Sequence, residues 1–422
     1  MAENNTFLIK TLGCKVNSYE SEFIRNLFLL NNYKEVEDNA DVVIINTCTV
    51  TNTADNKSKK IINNIRKNNK ESIVIAIGCF CEFRKDEIDT LIDADIILGN
   101  KNKSKILEYL EEYKLNKKRI IDFYDISKED FEDMEIKGYS HHHRAFVKIE
   151  DGCNNFCSYC IIPYVRGRVR SKDFNKCIIE FNDIAISGHK EIVLSGIHTG
   201  QYESDGKRLS DLIIEISKIP GIERIRLSSV EIVELNNEMI NIIKNNSKFV
   251  SHLHIPLQSG SDTVLKLMNR RYDTKYFEDK VEEIRASREG ISLTTDVIVG
   301  FPGETDEMFK ETLDFCKKMK FSKIHVFPYS DRNGTVASMM KNKVQNEIKK
   351  NRVHQLIELS NSMEKEYYES FINKNVSVLI EEFKDGYYYG ITDNYIPVKL
   401  DEKYELNNIY NVLLKKENIT NI

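Results

Sequence analysis

The run Asp151-Gly-Cys-Asn-Asn-Phe-Cys-Ser-Tyr-Cys-Ile-Ile-Pro163 sets Cys153, Cys157 and Cys160 at C-x3-C-x2-C spacing. Three thiolates on one tight loop suit three irons of a cubane cluster and leave the fourth iron open, where four thiolates would close it. An open iron is a place for a substrate or a second cofactor. Small and polar residues between the cysteines let the loop wrap a cluster with backbone N–H groups aimed at sulfur. Structural zinc wants four ligands, usually from a second pair, and no such pair lies nearby.

The elements that must position these residues alternate. Short apolar runs with β-branched residues at 7–10, 42–45, 73–77 and 96–98 read as strands. Helical stretches at 19–30, 54–67 and 103–113 accompany them, and βαβ alternation implies a parallel sheet. Cys14, Cys48 and Cys79 each follow one of these strands, at the end of the sheet where loops converge. Three distant thiols can meet there, and three separate buried cysteines are the plain alternative. Residues 114–139 are charged and weakly periodic and read as a linker, closing a first unit at 1–138. Strands at 145–149, 191–194, 224–227, 252–255, 293–299 and 323–327 follow, with helices such as 177–186 and 209–216 between them. Six or so βα units suggest an open β/α barrel over 139–370. Barrels gather their chemistry at the C-terminal ends of strands, which is where the cysteine loop falls. After a long polar helix at 345–370, residues 371–422 carry strands at 376–380, 387–391 and 396–400. They read as a small antiparallel β-barrel. The fold class is α/β with this third, all-β unit.

Cys153, Cys157 and Cys160 with Tyr159 before the last cysteine resemble the signature of radical S-adenosylmethionine (SAM) enzymes. The runs 11–22, 46–51, 78–79, 166–171, 254–261 and 296–305 are similar, in order, to motifs of the methylthiotransferases. The resemblance runs from near residue 6 to the C-terminus. Gly-Cys-Lys-Val-Asn at 13–17 resembles the branch acting on threonylcarbamoyladenosine in tRNA. The branch acting on isopentenyladenosine usually reads Gly-Cys-Gln-Met-Asn there.

The resemblance implies a partial (β/α)6 radical SAM barrel, a C-terminal TRAM-like RNA-binding module, two [4Fe-4S] clusters and SAM. Cys153, Cys157 and Cys160 would hold the cluster whose open iron chelates SAM. One electron then cleaves the sulfonium bond and yields a 5′-deoxyadenosyl radical. Cys14, Cys48 and Cys79 would hold the second cluster, which presents sulfur, and a second SAM methylates that sulfur. Cys79 is preferred to Cys81 because it follows the Gly-Cys wording. Tyr159, Ser195, Gly196, Ser229, Glu231 and Ile298 are expected around SAM, against ordinary strand-end packing. Gly300-Phe-Pro-Gly-Glu304 lacks the ending of a phosphate loop and reads as a tight turn. Cys177 and Cys316 read as core.

Arg166, Arg168 and Arg170, with Lys172, form the densest basic cluster near the chemistry. If extended, they share a face that suits RNA phosphates; the alternative is pairing with acidic residues inside the fold. Tyr387, Tyr388 and Tyr389 suit base stacking or the filling of a barrel core. His141-His142-His143 reads as solvated linker. The net charge of -5 excludes a bulk nucleic-acid binder, and residues 371–422 carry more carboxylates than lysines, so RNA must be held by local patches. No apolar run approaches a membrane span and no secretory signal is evident, so the protein is expected in the cytoplasm. Nine cysteines there point to metal or catalysis rather than disulfides. The expected activity is methylthiolation at C2 of threonylcarbamoyladenosine 37, beside the tRNA anticodon. An electron donor such as flavodoxin or ferredoxin is expected with it. Isopentenyladenosine tRNA, a ribosomal-protein aspartate and a non-catalytic Fe–S RNA-binding role are the alternatives.

Overall fold

The computed structural model describes residues 5–139 and 143–420, so of the three consecutive histidines only His143 lies within it. The N-terminal strands form one parallel sheet in the order Lys34–Glu35, Thr6–Thr11, Val42–Thr47, Ile73–Gly78, Ile96–Leu98, Ile120–Asp122. Val42–Thr47 is buried along its whole length, as expected of a parallel strand covered on both faces. Strand order reverses between Thr6–Thr11 and Val42–Thr47. Sheets wound this way bind ligands at the carboxyl ends beside that reversal. Cys14 and Cys48 leave these two strands, and Cys79 leaves the next one.

The segment read as a linker is structured. Ile120–Asp122 pairs as the sixth strand, and Met134, Ile136 and Tyr139 are buried in the core of the following unit. Their apolar side chains are too sparse among charges to form a visible period.

The second unit has two parallel three-stranded ladders. One joins Arg144–Lys148, Glu191–Ser195 and Arg224–Leu227; the other joins His252–His254, Ser292–Val299 and Lys323–Pro328. A parallel bridge from Ile225 to Phe249 and the bond from Val250 N to Ile225 O (3.1 Å) link them into an open six-strand barrel. Helix Lys15–Leu30 packs on the first strand. Helix Asn346–Glu369 packs on the last, where Ser360 Oγ accepts from Ile324 N at 2.9 Å. Cys177 and Cys316 are fully buried in this core.

The C-terminal strands form an antiparallel sheet, Pro397–Leu400, Tyr387–Thr392, Asn375–Lys384, Ile409–Leu413, whose last strand the sequence pattern did not reveal. Tyr388 packs against Phe383 and Tyr404, while Tyr387 stays exposed with Lys399 over its ring. This sheet closes the bottom of the barrel. Arg144 Nε reaches Glu381 at 2.7 Å, Arg224 Nη2 donates to Ser377 O at 2.6 Å, and Arg226 Nη1 donates to Asp393 O at 3.0 Å. Arg226 also lies over the Tyr395 ring and pairs with buried Glu191 at 2.6 Å. Burial opposes the Glu191 charge, but Arg226 and Arg224 hold its carboxyl down to about 2 from an ordinary 4.5. Their pairing therefore stabilises fully above about pH 4.5 and is lost as pH falls toward 2. Glu191→Ala strands two buried guanidinium groups. It should cost about 3–5 kcal/mol in urea melts at pH 7, and much less at the lowest pH where the fold persists.

Candidate active site

Gly152 starts the cysteine loop with φ of +88°, and a Cβ there would sit 2.0 Å from Arg168 O, so only glycine fits. The loop is then held from outside. Ser158 N donates to Met268 O (3.1 Å) and Ser158 Oγ to Leu267 O (2.7 Å). Sulfur receives donors as well. Asn155 N lies 3.4 Å from Cys153 Sγ, and Arg270 Nη1 lies 3.2 Å from Cys157 Sγ. His198 Nδ1 is 3.6 Å from Cys153 Sγ. Burial alone would lower the His198 imidazole, but its contacts with Cys153 and Glu234 lift it to about 10. Arg270 and His198 were not singled out in the sequence. Their signal is a cationic side chain in a loop distant in sequence, which only the closed barrel brings to sulfur.

Cys14, Cys48 and Cys79 lie near enough to influence one another electrostatically. Gly13 allows it, because a Cβ there would lie 3.0 Å from Cys48 Sγ. Burial above all, with nearby Cys79 and Cys14 adding to it, pushes the Cys48 thiol up to about 11. Asn17 ties the loops together, donating to Leu12 O (2.6 Å) and Thr47 O (2.9 Å). Cys79 Sγ accepts from Arg166 Nε at 3.2 Å and from Asn100 Nδ2 at 3.6 Å. Cys79 and Cys81 do not share a face, because residues Cys79–Phe83 form a helix rather than a strand. Cys81 points into the apolar core beside Phe80 and Ile97, where burial pushes its thiol up to about 12. Among the described residues, no three His, Cys, Asp or Glu side chains converge as ligands of a single ion would. A cubane instead takes each thiolate on a separate iron.

Arg166 corrects the expected phosphate strip. It ends the helix Ile162–Arg166 and is fully buried. Its guanidinium reaches Glu20 Oε1 and both Asp151 oxygens at 3.1 Å, and Asn17 Oδ1 at 2.7 Å. Lys172 is buried on Glu180 (2.6 Å), and Arg170 donates to Ile126 O and Arg166 O. Only Arg168 is exposed, over the Phe156 ring. The alternating positions do not share a solvent face, because a helix and the buried network interrupt the extended run. Glu20 and Asp151 also bind Lys148, and Glu20 binds Lys103. Three interior cations thus face two carboxylates, and the surplus lies against Cys79, which suits an anionic, thiolate-bound group.

Above the barrel, an open cleft of about 730 Å³ is lined by Tyr159, Cys160, Gln258, Asp296 and Ile298, with Val50 and Thr51 from the N-terminal unit. Ser195 and Gly196 end the second barrel strand. Near them Glu150 Oε1, Ser195 Oγ and Thr199 Oγ1 are buried without hydrogen-bond partners, a polar seat lacking its ligand. Ser229 and Glu231 follow the third strand. Glu231 is already tied to Arg270 Nη2 and the Glu234 N–H. Gly300 turns with φ of +72° and its N–H bonds Glu304 Oε1, as expected of a tight turn. A groove carrying Lys349, Lys350 and His354 opens onto the cleft through Thr51 and residues 327–330.

An open six-strand barrel with three cysteines on the loop after its first strand defines a radical SAM enzyme. The model of the radical SAM superfamily matches residues 147–316, and that of the uncharacterized protein family UPF0004 matches residues 6–99. The threonylcarbamoyladenosine tRNA methylthiotransferase MtaB of Bacillus subtilis is 42% identical over 93% of this chain and 90% of its own. That of Aquifex aeolicus is 39% identical over 96% and 99%. The tRNA-2-methylthio-N(6)-dimethylallyladenosine synthase of Acetivibrio thermocellus is 37% identical over 89% and 80%. The fold resembles the radical SAM methyltransferase TsrM of Kitasatospora setae, solved with cobalamin and a [4Fe-4S] cluster (TM-score 0.56, 14% identity, 80% of this chain and 77% of that one). The chain belongs to the radical SAM tRNA methylthiotransferases, enzymes that transfer a methylthio group using SAM and [4Fe-4S] clusters. No described helix is long and apolar enough to cross a membrane.

The Arg166 network predicts opposite outcomes for two neighbouring arginines. Arg166→Ala leaves Glu20 and Asp151 without their shared guanidinium and should cost about 3–5 kcal/mol in chemical denaturation. Arg168→Ala removes an exposed side chain and should stay within about 0.5 kcal/mol. Equal costs would contradict the placement of Arg166 at the junction.

Proposed function

We propose that this enzyme methylthiolates C2 of threonylcarbamoyladenosine 37 in tRNA. The observation that carries the reading is the name borne by the relatives at 42% and 39% identity over nearly the whole chain. The Gly13-to-Asn17 wording supports it. Cys153, Cys157 and Cys160 would hold the SAM-binding cluster, and Cys14, Cys48 and Cys79 the second. When bound, these cofactors supply a carbon radical and a methylated sulfur, chemistry no side chain can provide.

The chain's own residues position and protect. Glu150, Ser195 and Thr199 offer unpaired polar atoms beside Gly196 for the amino-acid end of SAM. Ile298 and Tyr159 flank the apolar part of the cleft. Ser229 would bind the ribose by its position after the third strand, and Glu231 acts by orienting Arg270 toward Cys157. Arg166 donates to Cys79 Sγ, and sulfur-directed hydrogen bonds raise cluster potentials. Cys79 packs with Ile161 and Val165, just after Cys160, which sets it beside the cysteine loop. The tRNA, its target base splayed out, approaches along the groove of Lys349 and Lys350. A cytoplasmic flavodoxin or ferredoxin supplies electrons.

Anaerobically reconstituted protein should carry about eight irons per chain, and about four after Cys153, Cys157 and Cys160 are all replaced by Ala. Cys81→Ala should keep all the iron, while Cys79→Ala loses the second cluster; the reverse pattern would identify the wrong thiol.

The substrate is tested by giving the purified enzyme, SAM and a reductant two tRNAs, one with threonylcarbamoyladenosine and one with isopentenyladenosine. Nucleoside mass spectrometry should find the methylthio product on the first alone. Product on the second alone would move the enzyme to the sister activity. Product on neither, with a modified ribosomal protein, would remove RNA as substrate.

A further inference from the structure

Beneath the cleft, a second, half-open cavity lies between the barrel strands and the C-terminal sheet. Polar side chains line it beside Tyr368, Ile391, Tyr395 and Pro397, where a barrel core is ordinarily packed with branched apolar side chains. His252, His254 and His325 line it with Thr294 and the hydroxyls of Ser228 and Ser292. One strand runs past both this cavity and the cleft above. Ser292, Thr294, Asp296 and Ile298 alternate along one strand, the first two lining the lumen and the last two the cleft. From Thr294 to Ile298 the strand rises about 13 Å, on the order of a purine extended by an amino-acid substituent.

Two polar groups in this lumen lack partners. His252 is 4% exposed, its Nε2 lies 3.1 Å from Thr294 Oγ1, and its Nδ1 has no hydrogen-bond partner. Lys15 enters from the N-terminal unit with its ammonium 5.9 Å from the Phe146 ring centroid, and no carboxylate among the described residues pairs with it. The carboxylates nearby are committed elsewhere: Glu364 to Lys323, Asp296 to His254, and Glu191 to Arg226. A partly buried cation without a counter-ion, in a chamber of hydroxyls and imidazoles, is a seat for an anion that also hydrogen-bonds.

We propose that this lumen receives the N6 substituent of the target base and that Lys15 binds its terminal carboxylate. The proposal rests on the substrate reading above and adds its specificity determinant. The part of the cavity that water can occupy, about 440 Å³, falls in the volume range that takes a whole small-molecule ligand. A purely hydrocarbon substituent would leave Lys15 and His252 Nδ1 unpaired, and sites built on polar contacts reject analogues lacking the polar group most strongly. Lys15 directly follows Cys14, so the carboxylate grip and one thiol of the second triad move together.

The test uses cluster-loaded enzyme and two tRNAs, one with the threonylcarbamoyl carboxylate free and one with it converted to the methyl ester. Wild type should favour the free acid in kcat/KM by about tenfold to a hundredfold, the range of a charge-assisted hydrogen bond. Lys15→Gln should reduce that preference to within about twofold, chiefly through KM. Its iron content and its rate of SAM cleavage without tRNA should be unchanged. Lys15→Arg should keep the preference. Thr294→Val, remote from every cysteine, should lower kcat/KM on both tRNAs by about tenfold. It is the second readout if Lys15→Gln loses iron, and wild-type kcat/KM in it would then overturn the proposal. A Lys15→Gln enzyme with full iron and the wild-type acid preference would overturn the proposal while leaving the substrate reading intact. Wild type inactive on both tRNAs would overturn the two together.

Discussion

Everything near the chemistry depends on one buried ionic junction. Arg166, from the barrel unit, inserts between Glu20 of the N-terminal helix and Asp151 of the cysteine-loop strand, with Lys103 and Lys148 completing the network. Taking five charges out of water is costly and is offset only where geometry is good and the remaining hydrogen-bonding positions are filled. Here they are filled, by Asn17 and by Cys79 sulfur. The junction spans both units and touches a member of one thiol triad, while Asp151 stands two residues before Cys153. It therefore fixes the relation between two sets of thiols that the topology places on separate sheets.

The same logic recurs at the bottom of the barrel. The guanidinium groups of Arg144, Arg224 and Arg226, the last two paired with Glu191, bind backbone and side chains of the C-terminal sheet, so that sheet is docked to the strand ends. The docking seats Tyr395 against His252, at the floor of the lumen. Three units meet around one polar chamber: Lys15 from the first, the histidines and threonine from the second, Tyr395 from the third.

Much of this was legible in the sequence, for identifiable reasons. Parallel strands buried on both faces are continuous apolar runs, so Val42–Thr47 and Ile73–Gly78 stood out. The cysteine loop was visible because its ligands are local. Cys14, Cys48 and Cys79 were inferable because strand ends in a parallel sheet converge. What stayed hidden depends on long-range closure. Arg166 looked like a phosphate binder because its partner Glu20 lies far away in sequence. Arg270 and His198 carried no local mark. Cys81 was distinguished from Cys79 by wording alone, and the reason is a strand that turns into a helix at Gly78, leaving one thiol against Ile161 and Val165 and the other in the core of the sheet. Ile120–Asp122 and Ile409–Leu413 are short edge strands whose pattern is too brief to register.

The junction's role is tested most directly by amide hydrogen exchange on cluster-loaded Glu20→Gln protein, which keeps side-chain shape and removes the charge that both Arg166 and Lys103 share. Residues 12–17 and 151–160 should lose protection together. The strand interiors Val42–Thr47 and Glu191–Ser195 should keep theirs, because each sheet is stable by itself and only the junction loosens. Unchanged protection on both sides would contradict the account, showing that packing alone holds the two thiol triads in place.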